Sequence, residues 1–179
     1  MSENQLPSET DAVLHEVDAI LKEPKFLAEI NTFLDQRKPE WIEALRKSSP
    51  TNRDLAACLA LGQELSIKMP SVANRLQIFE MLTTVNDPTE GIISRIHNIM
   101  AFVDEKGHPI NIIDPTFNQY NNTQPFFVGH RDEAYTNYRV PGDTREVIPV
   151  KVDPLSVTEF MDRNGRAINN FRQALQAKS

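Results

Sequence analysis

The sequence has few of the residues and motifs on which catalytic and cofactor sites are most often built. Its single cysteine, Cys58, excludes an intrachain disulfide and a zinc site made of several cysteines. It has only six glycines in 179 residues and neither a Walker A nor a G-x-G-x-x-G motif, so the common phosphate-binding loops are missing. The G-x-S-x-G motif of serine hydrolases is also missing. We therefore expect no cofactor.

Long apolar runs and an excess of positive charge are absent as well. No stretch approaches the ~20 apolar residues that a membrane-spanning helix needs. The first residues, MSENQLPSETDAV, are polar and acidic and do not resemble a secretory signal peptide. The net charge of −6 argues against indiscriminate binding to nucleic acid. These features predict a cytoplasmic protein that does not contact membranes.

Prolines divide the first hundred residues into segments with helical spacing of apolar side chains. Ser8 favours the start of a first helix, Pro24 suits the first turn of a second, and Pro39 predicts a break before a third. Apolar side chains with the same helical spacing also follow the loop SSPTNRD and Pro70, and they predict further helices there. We predict a mainly α fold: a bundle of about six helices, with a small irregular β-hairpin insertion near 108–152 and a C-terminal helix.

The stretch DPTE, residues 87–90, has the residues of a helix start. Asp87 is a favourable N-cap, Pro88 needs no partner for an N–H at the first helical position, and Glu90 stands at the third. A broad apolar stripe follows, typical of a helix at the centre of a bundle. We therefore predict a central helix here, with Ile96 among the most buried residues.

Residues 107–153 have many prolines and few leucines. PINIIDP predicts an extended stretch, PFFV and EVIPVKV predict short strands, and VPGD predicts a turn between them. Pro149 lies inside the last of these strands and predicts a sheet edge, because proline cannot donate to the ladder. We expect a final helix over 154–179 to pack on the helical core 1–106, so that 1–179 forms a single domain.

The histidines and the cysteine do not predict a reactive centre. No two of the four histidines are three or four residues apart, so we expect no metal site. His97 lies in an apolar segment, and we interpret it as a core or boundary histidine whose hydrogen bonds are satisfied internally. Cys58 lies on the apolar face of a predicted helix, where a buried and unreactive thiol is expected.

The segment from Pro125 to Val150, PFFVGHRDEAYTNYRVPGDTREVIPV, is the strongest candidate for a functional surface. Tyrosine and arginine are enriched at binding hot spots, and arginine binds carboxylates and phosphates through paired hydrogen bonds. Six of the eleven arginines lie in the last 49 residues, whereas residues 1–50 hold ten acidic and six basic side chains. The predicted partner-binding residues are Phe126, Phe127, Arg131, Tyr135, Tyr138, Arg139, Arg145, Arg163, Arg166 and Arg172.

We therefore predict a non-catalytic cytosolic binding or assembly protein whose Arg/Tyr-rich surface takes an acidic or phosphate-bearing partner. The partner would be another protein or a second copy of the chain. An alternative is a small hydrolase or transferase centred on His130 with Asp132 and Glu133, which requires His130 beside an acid at the floor of a pocket. Another is a nucleic-acid-packaging subunit, which the acidic net charge does not favour.

Overall fold

The computed structural model of the chain describes residues 9–47, 53–120, 124–138, 149–151, 169 and 171–173. The helices are α1 (Glu9–Lys22), α2 (Pro24–Lys47), α3 (Arg53–Lys68) and the short α4 (Arg131–Asn137). The strands are β1 (Leu76–Asp87), β2 (Gly91–Val103), β3 (Pro109–Asp114), β4 (Phe127–His130) and β5 (Pro149–Lys151). Among the described helices, none has both the length and the apolarity needed to cross a membrane.

The five strands form one antiparallel sheet in the order β4-β3-β2-β1-β5. Strands β1 to β4 follow one another as a meander, and β5 returns to the opposite edge, where it pairs with residues 79–81 of β1. Helices α1, α2 and α3 cover one face of this sheet. The turn at 117–120 and α4 cover the other face, so the described residues form three layers.

The expected mainly α bundle is wrong, because two of its predicted helices are the strands β1 and β2. These strands pair from Leu76 opposite Phe102 to Asp87 opposite Gly91. Side chains from both faces of β2 are buried: Met100 and Phe102 contact the helices, whereas Ile99 and Ala101 lie in the core on the other face. A strand covered on both faces shows no simple alternation of polar and apolar residues, and this produced the false helical pattern.

The DPTE stretch forms the turn between β1 and β2 and does not start a helix. The Asp87 carboxylate accepts hydrogen bonds from the backbone N–H groups of Thr89 at 2.9 Å and Glu90 at 3.1 Å. An N-cap makes the same two contacts, so the residue pattern does not distinguish a helix start from a turn. Gly91 follows with φ of +75°, a conformation that favours glycine and marks the turn.

Other boundaries agree with the sequence in part. Helix α2 begins at Pro24 as predicted, but the break predicted at Pro39 is wrong. Pro39 is exposed and lies within α2, so the carbonyl that lacks its N–H partner is on the solvent side of the helix. Ser8 and VPGD lie outside the described residues.

The short strands predicted at PINIIDP, PFFV and EVIPVKV are confirmed, but the predicted β-hairpin is wrong, because PFFV and EVIPVKV lie at opposite edges of the sheet and do not pair with each other. PINIIDP contains β3, PFFV overlaps β4, and Pro149 begins the edge strand β5. Near the C-terminus, residues 169 and 171–173 are helical, and Phe171 is buried against Trp41 with ring centroids 5.2 Å apart. The rest of the predicted C-terminal helix lies outside the described residues.

The expected burial of Ile96 is wrong. Ile96 faces Leu82 across the hairpin, and the two residues are 66% and 45% exposed. The hairpin extends past the end of β3, which pairs with β2 only at Met100 and beyond. Ile99, on the same strand, is fully buried.

These two isoleucines provide a matched test of the strand assignment. We expect Ile99→Ala to lower the free energy of unfolding by about 2–5 kcal/mol, the cost of a large-to-small change in a core. Ile96→Ala should change it by less than about 1 kcal/mol, because most of that side chain already contacts water. Chemical denaturation of both variants measures the two free energies of unfolding. Equal losses of stability would contradict the assignment of residues 91–103 to a strand.

Candidate functional site

The three predicted partner-binding residues described first, Phe126, Phe127 and Tyr138, are partly or fully buried. Phe126 is half-buried with its ring centroid 6.1 Å from that of Trp41, and Phe127 is buried. The exposure expected of Tyr138 is wrong, because this residue is fully buried in the core between the sheet and α4. Partner binding by the segment as a whole stays a prediction.

The arginines of the predicted surface are only partly described. Arg131 is exposed and donates to Asp132, its neighbour on α4, at 3.3 Å. Arg172 donates a hydrogen bond to the side chain of Gln63 on α3. The side chain of Tyr135 and the residues Arg139, Arg145, Arg163 and Arg166 lie outside the described part of the chain.

The alternative centred on His130 gains no support from the geometry. His130 is the N-cap residue of α4, its side chain makes no capping hydrogen bond, and it is exposed. Asp132 and Glu133 are exposed as well. A general base is expected beside its partner in a cleft, and these three side chains do not form such a site.

A cluster of titratable side chains that spacing did not predict lies inside the protein. His97 of β2 contacts the Asp114 carboxylate at the end of β3, with 2.8 Å between His97 Nε2 and Asp114 Oδ2. The Tyr138 hydroxyl donates to the same oxygen, and His97 Nδ1 lies 3.6 Å from Asp54 Oδ2 on α3. The expectation that His97 is a core histidine with internal partners is confirmed: one ring nitrogen is hydrogen-bonded, and the other faces a carboxylate.

The Asp114 carboxylate is also bonded through its second oxygen. Asp114 Oδ1 accepts from the backbone N–H of Thr116 at 2.7 Å and from its hydroxyl at 2.9 Å. Strand β3 ends here, since Pro115 has no N–H to offer β2. The carbonyl of Pro115 instead accepts a hydrogen bond from Trp41 Nε1 at 2.9 Å.

Two side chains of α3 replace the missing strand partner of β2. The register that pairs Met100 with Ile113 would place Pro115 opposite Asn98. The N–H of Asn98 donates to Asp54 Oδ2 at 2.8 Å, and its carbonyl accepts from the Cys58 thiol at 3.4 Å. Both residues reach the strand because they are four apart on one helix face. Cys58 therefore has a structural role.

Aromatic side chains close the cluster on its other sides. The rings of Tyr120 and Tyr138 have centroids 4.9 Å apart, and that of Tyr120 lies 4.9 Å from that of His97. The Tyr120 hydroxyl is 2.7 Å from the hydroxyl of Thr83 on β1. Phe117 packs edge-on against Tyr138. The segment after β3 thus supplies two rings to this core.

Burial and charge determine the protonation of the cluster. Burial alone favours neutral imidazole, but the carboxylate of Asp114, and more weakly that of Asp54, more than offset it and raise the pKa of His97. Burial, followed by the charge of Asp114, raises the pKa of Tyr138 and of Cys58 well above their ordinary values. The raised pKa of His97 favours its protonated form, and the raised pKa values of the Cys58 thiol and the Tyr138 phenol favour their neutral forms.

This arrangement stabilises the interior and does not form an accessible reactive centre. The two ring nitrogens of His97 face different carboxylates, so Asp54, His97 and Asp114 do not converge on one point. Within the part of the chain that the structure describes, no group of three or more candidate ligands is arranged to hold a metal ion. The buried, neutral Cys58 lacks the electropositive surroundings of a nucleophilic cysteine.

An open site lies between α2 and the segment 124–128, and we call it the α2–β4 cleft. Its volume is about 320 Å³. Four residues on one face of α2 and five consecutive residues before and within β4 line it: Asn31, Leu34, Asp35, Lys38, Gln124, Pro125, Phe126, Phe127 and Val128. Two of the predicted partner-binding residues, Phe126 and Phe127, are among them.

Comparison with protein-family models, with curated proteins and with solved structures finds no match for this chain.

The raised pKa of His97 predicts how the stability of the protein depends on pH. The folded state binds the His97 proton more tightly than the unfolded state, in which the pKa is about 6.5. The stabilising contribution is therefore complete below about pH 6.5 and is lost as pH rises through the folded-state pKa. Denaturation of the wild type and of His97→Gln across this range measures the effect.

We expect His97→Gln to lower the free energy of unfolding by about 3–5 kcal/mol near pH 6, the range for breaking a buried charge pair. The difference from the wild type should shrink at higher pH. His130→Gln provides the control, because His130 is exposed and its loss should have little effect. A difference that grows with pH would contradict a charged His97.

The burial of Cys58 predicts slow modification of its thiol. Because Cys58 is fully buried and its pKa is raised by burial, a thiol reagent should react only when the protein opens. We expect the labelling rate to rise steeply with denaturant. It should be more than about a hundredfold faster in the unfolded protein than in the native protein. Rapid labelling under native conditions, measured by mass spectrometry, would contradict the structural role of this residue.

Proposed function

We propose that this chain is a non-catalytic binding protein that takes a segment of a partner protein in the α2–β4 cleft. The observation that supports this function most directly is the cleft itself, an open site at the outer edge of the sheet. The proposal narrows the predicted surface to the part around Phe126 and Phe127, and it includes a cytoplasmic location, which rests on sequence composition alone.

The lining of the cleft suits a protein partner. Leu34, Pro125 and Phe126 contribute apolar side chains to the lining. The amides of Asn31 and Gln124 and the charged groups of Asp35 and Lys38, which are three residues apart on α2, make the accessible lining more polar than apolar. Mixed polar and apolar surface of this kind is common at contacts between proteins that also exist separately.

Within the described part of the chain, the buried titratable cluster and the exposed His130 favour binding over catalysis. His97, Asp114, Tyr138 and Cys58 are all buried and hydrogen-bonded to one another or to the backbone. The exposed His130 does not lie beside an acid in a pocket. A non-catalytic protein needs neither an accessible base nor a nucleophile, so it agrees with both facts.

The partner class is proposed from the sequence and the cleft together. The cleft contains one carboxylate and one ammonium group, Asp35 and Lys38, so it suits a segment with polar or charged positions of either sign. The preference for an acidic or phosphate-bearing partner depends on Arg139, Arg145, Arg163 and Arg166. Those residues lie outside the described part of the chain, and that preference stays a prediction.

A pair of variants on α2 tests whether the cleft is the binding site. The probe is the tightest peptide recovered by panning a randomised twelve-residue library on the purified full chain. Asn31→Arg places a long charged side chain over the cleft, whereas Gln36→Arg adds the same charge at an exposed position on the other side of α2. We expect Asn31→Arg to weaken binding at least tenfold and Gln36→Arg to leave it within about twofold of the wild type.

Trp41, the single tryptophan, provides a local readout of the same binding event. Its ring contacts Phe126, which lines the cleft. Occupation of the cleft should therefore change the tryptophan emission with the same midpoint as fluorescence anisotropy of a labelled probe peptide. Equal affinity of the Asn31→Arg and Gln36→Arg variants, or no enriched peptide, would overturn the proposed function.

A further inference from the structure

Strand β4 is the outermost strand of the sheet on the side next to the cleft. It pairs with β3 along residues 127–130, and no other described strand pairs with it. In an antiparallel strand, the N–H and C=O groups of alternate residues point away from the partner strand. Among the described residues, none forms a backbone hydrogen bond to that outer side of β4. Such an edge is a template for an additional strand.

The cleft follows this edge and not one face of the sheet. Side chains along a strand alternate between its two faces, so a cleft above one face would be lined by every second residue. Here the lining residues 124–128 are consecutive, and two of them, Phe127 and Val128, are adjacent residues of β4 itself. Phe126 and Val128 pack on the helical side, whereas Phe127 belongs to the core on the other side. Adjacent residues whose side chains point to opposite faces can line the same cleft only where the cleft lies along the backbone edge of the strand.

We propose that the partner segment binds in an extended conformation and adds to the sheet as a further strand beside β4. This inference rests on the proposed function, since it specifies how a partner occupies the same cleft. Main-chain hydrogen bonds to β4 would provide affinity, and alternate side chains would provide specificity. One set of these side chains enters the space between β4 and α2, and the other set faces away from it.

The lining residues define the chemistry of the inward set. Leu34 and Phe126 are apolar residues of the lining from α2 and from the segment before β4, so we expect an apolar inward residue opposite them. Lys38, one turn after Leu34 on α2, suits a hydrogen-bond acceptor or an acidic group, whereas Asp35 suits a donor or a basic group. The volume of about 320 Å³ is near the lower end of ligand pockets, about 300–1,000 Å³, and leaves space for only a few side chains.

A second copy of the chain fits this edge less well than an extended peptide. Strand β4 has four residues, follows Pro125 by one residue and continues directly into α4. Pairing between two β4 strands would therefore form only a short ladder. Its buried area would be small compared with the about 1,200–2,000 Å² of a stable protein interface. A peptide pairs with the same four residues of β4, but its inward side chains also occupy the cleft, and a transient contact needs less buried area than a stable dimer.

Backbone N-methylation of the probe peptide tests strand addition without altering the protein. Each peptide in the series carries one N-methyl group at a different position, which removes one N–H donor and adds bulk there. If the peptide adds to β4, every second position donates to β4 and the positions between do not. We expect losses of at least tenfold at alternate positions and less than about threefold at the intervening ones, measured by anisotropy.

The outcomes separate this inference from the proposed function. Alternating losses, together with weaker binding to Asn31→Arg, support strand addition in the cleft. Losses without alternation, while Asn31→Arg still weakens binding, overturn strand addition and leave the cleft as the binding site. Unaltered binding to Asn31→Arg overturns both. A concentration-dependent dimer in analytical ultracentrifugation that the peptide dissociates would show that a second copy occupies the edge, and would overturn the peptide as its occupant.

Discussion

The buried carboxylate of Asp114 is the group on which the second face of the sheet depends. A carboxylate removed from water must be paired or extensively hydrogen-bonded, because its desolvation is otherwise too costly. Asp114 has His97 from β2, Tyr138 from the end of α4 and Thr116 from its own turn as partners. These contacts hold three segments distant in sequence against one another, and they fix where α4 crosses the sheet.

The same constraint explains why the buried cluster around His97 has a stabilising role and why the edge of the sheet at β4 is the candidate binding site. Removal of one partner would leave an uncompensated charge in the core, so the cluster around His97 tolerates little rearrangement. Helix α3 adds to this rigidity by bonding both backbone groups of Asn98 through Asp54 and Cys58. At the outer edge of the sheet, β4 pairs with β3 on one side, and no described strand pairs with its other side, which lies beside the cleft.

Much of the candidate site could not be predicted from the sequence, because its residues are distant along the chain and meet only in the folded protein. The cluster combines residues 54, 97, 114 and 138, and the spacing along the chain contains no information about which of them meet. Only the paired strands bring His97 near Asp114, and those strands were predicted to be helix and extended chain. The cleft was anticipated in part, since Phe126 and Phe127 were placed at the binding surface, but its α2 wall was not.

The sequence is enough to predict that residues 9–47 and 53–68 are helical, though not that α2 continues through Pro39, and it predicts the short strands β3 to β5, the edge position of Pro149, and the burial of Cys58 and His97. Each follows from local chemistry: apolar spacing, the missing N–H of proline, or apolar neighbours. Only the tertiary structure decided that β1 and β2 are strands and that Tyr138 is buried. Both outcomes depend on a second layer, α4 and the turn before it, that covers the sheet and makes apolar residues favourable on both faces.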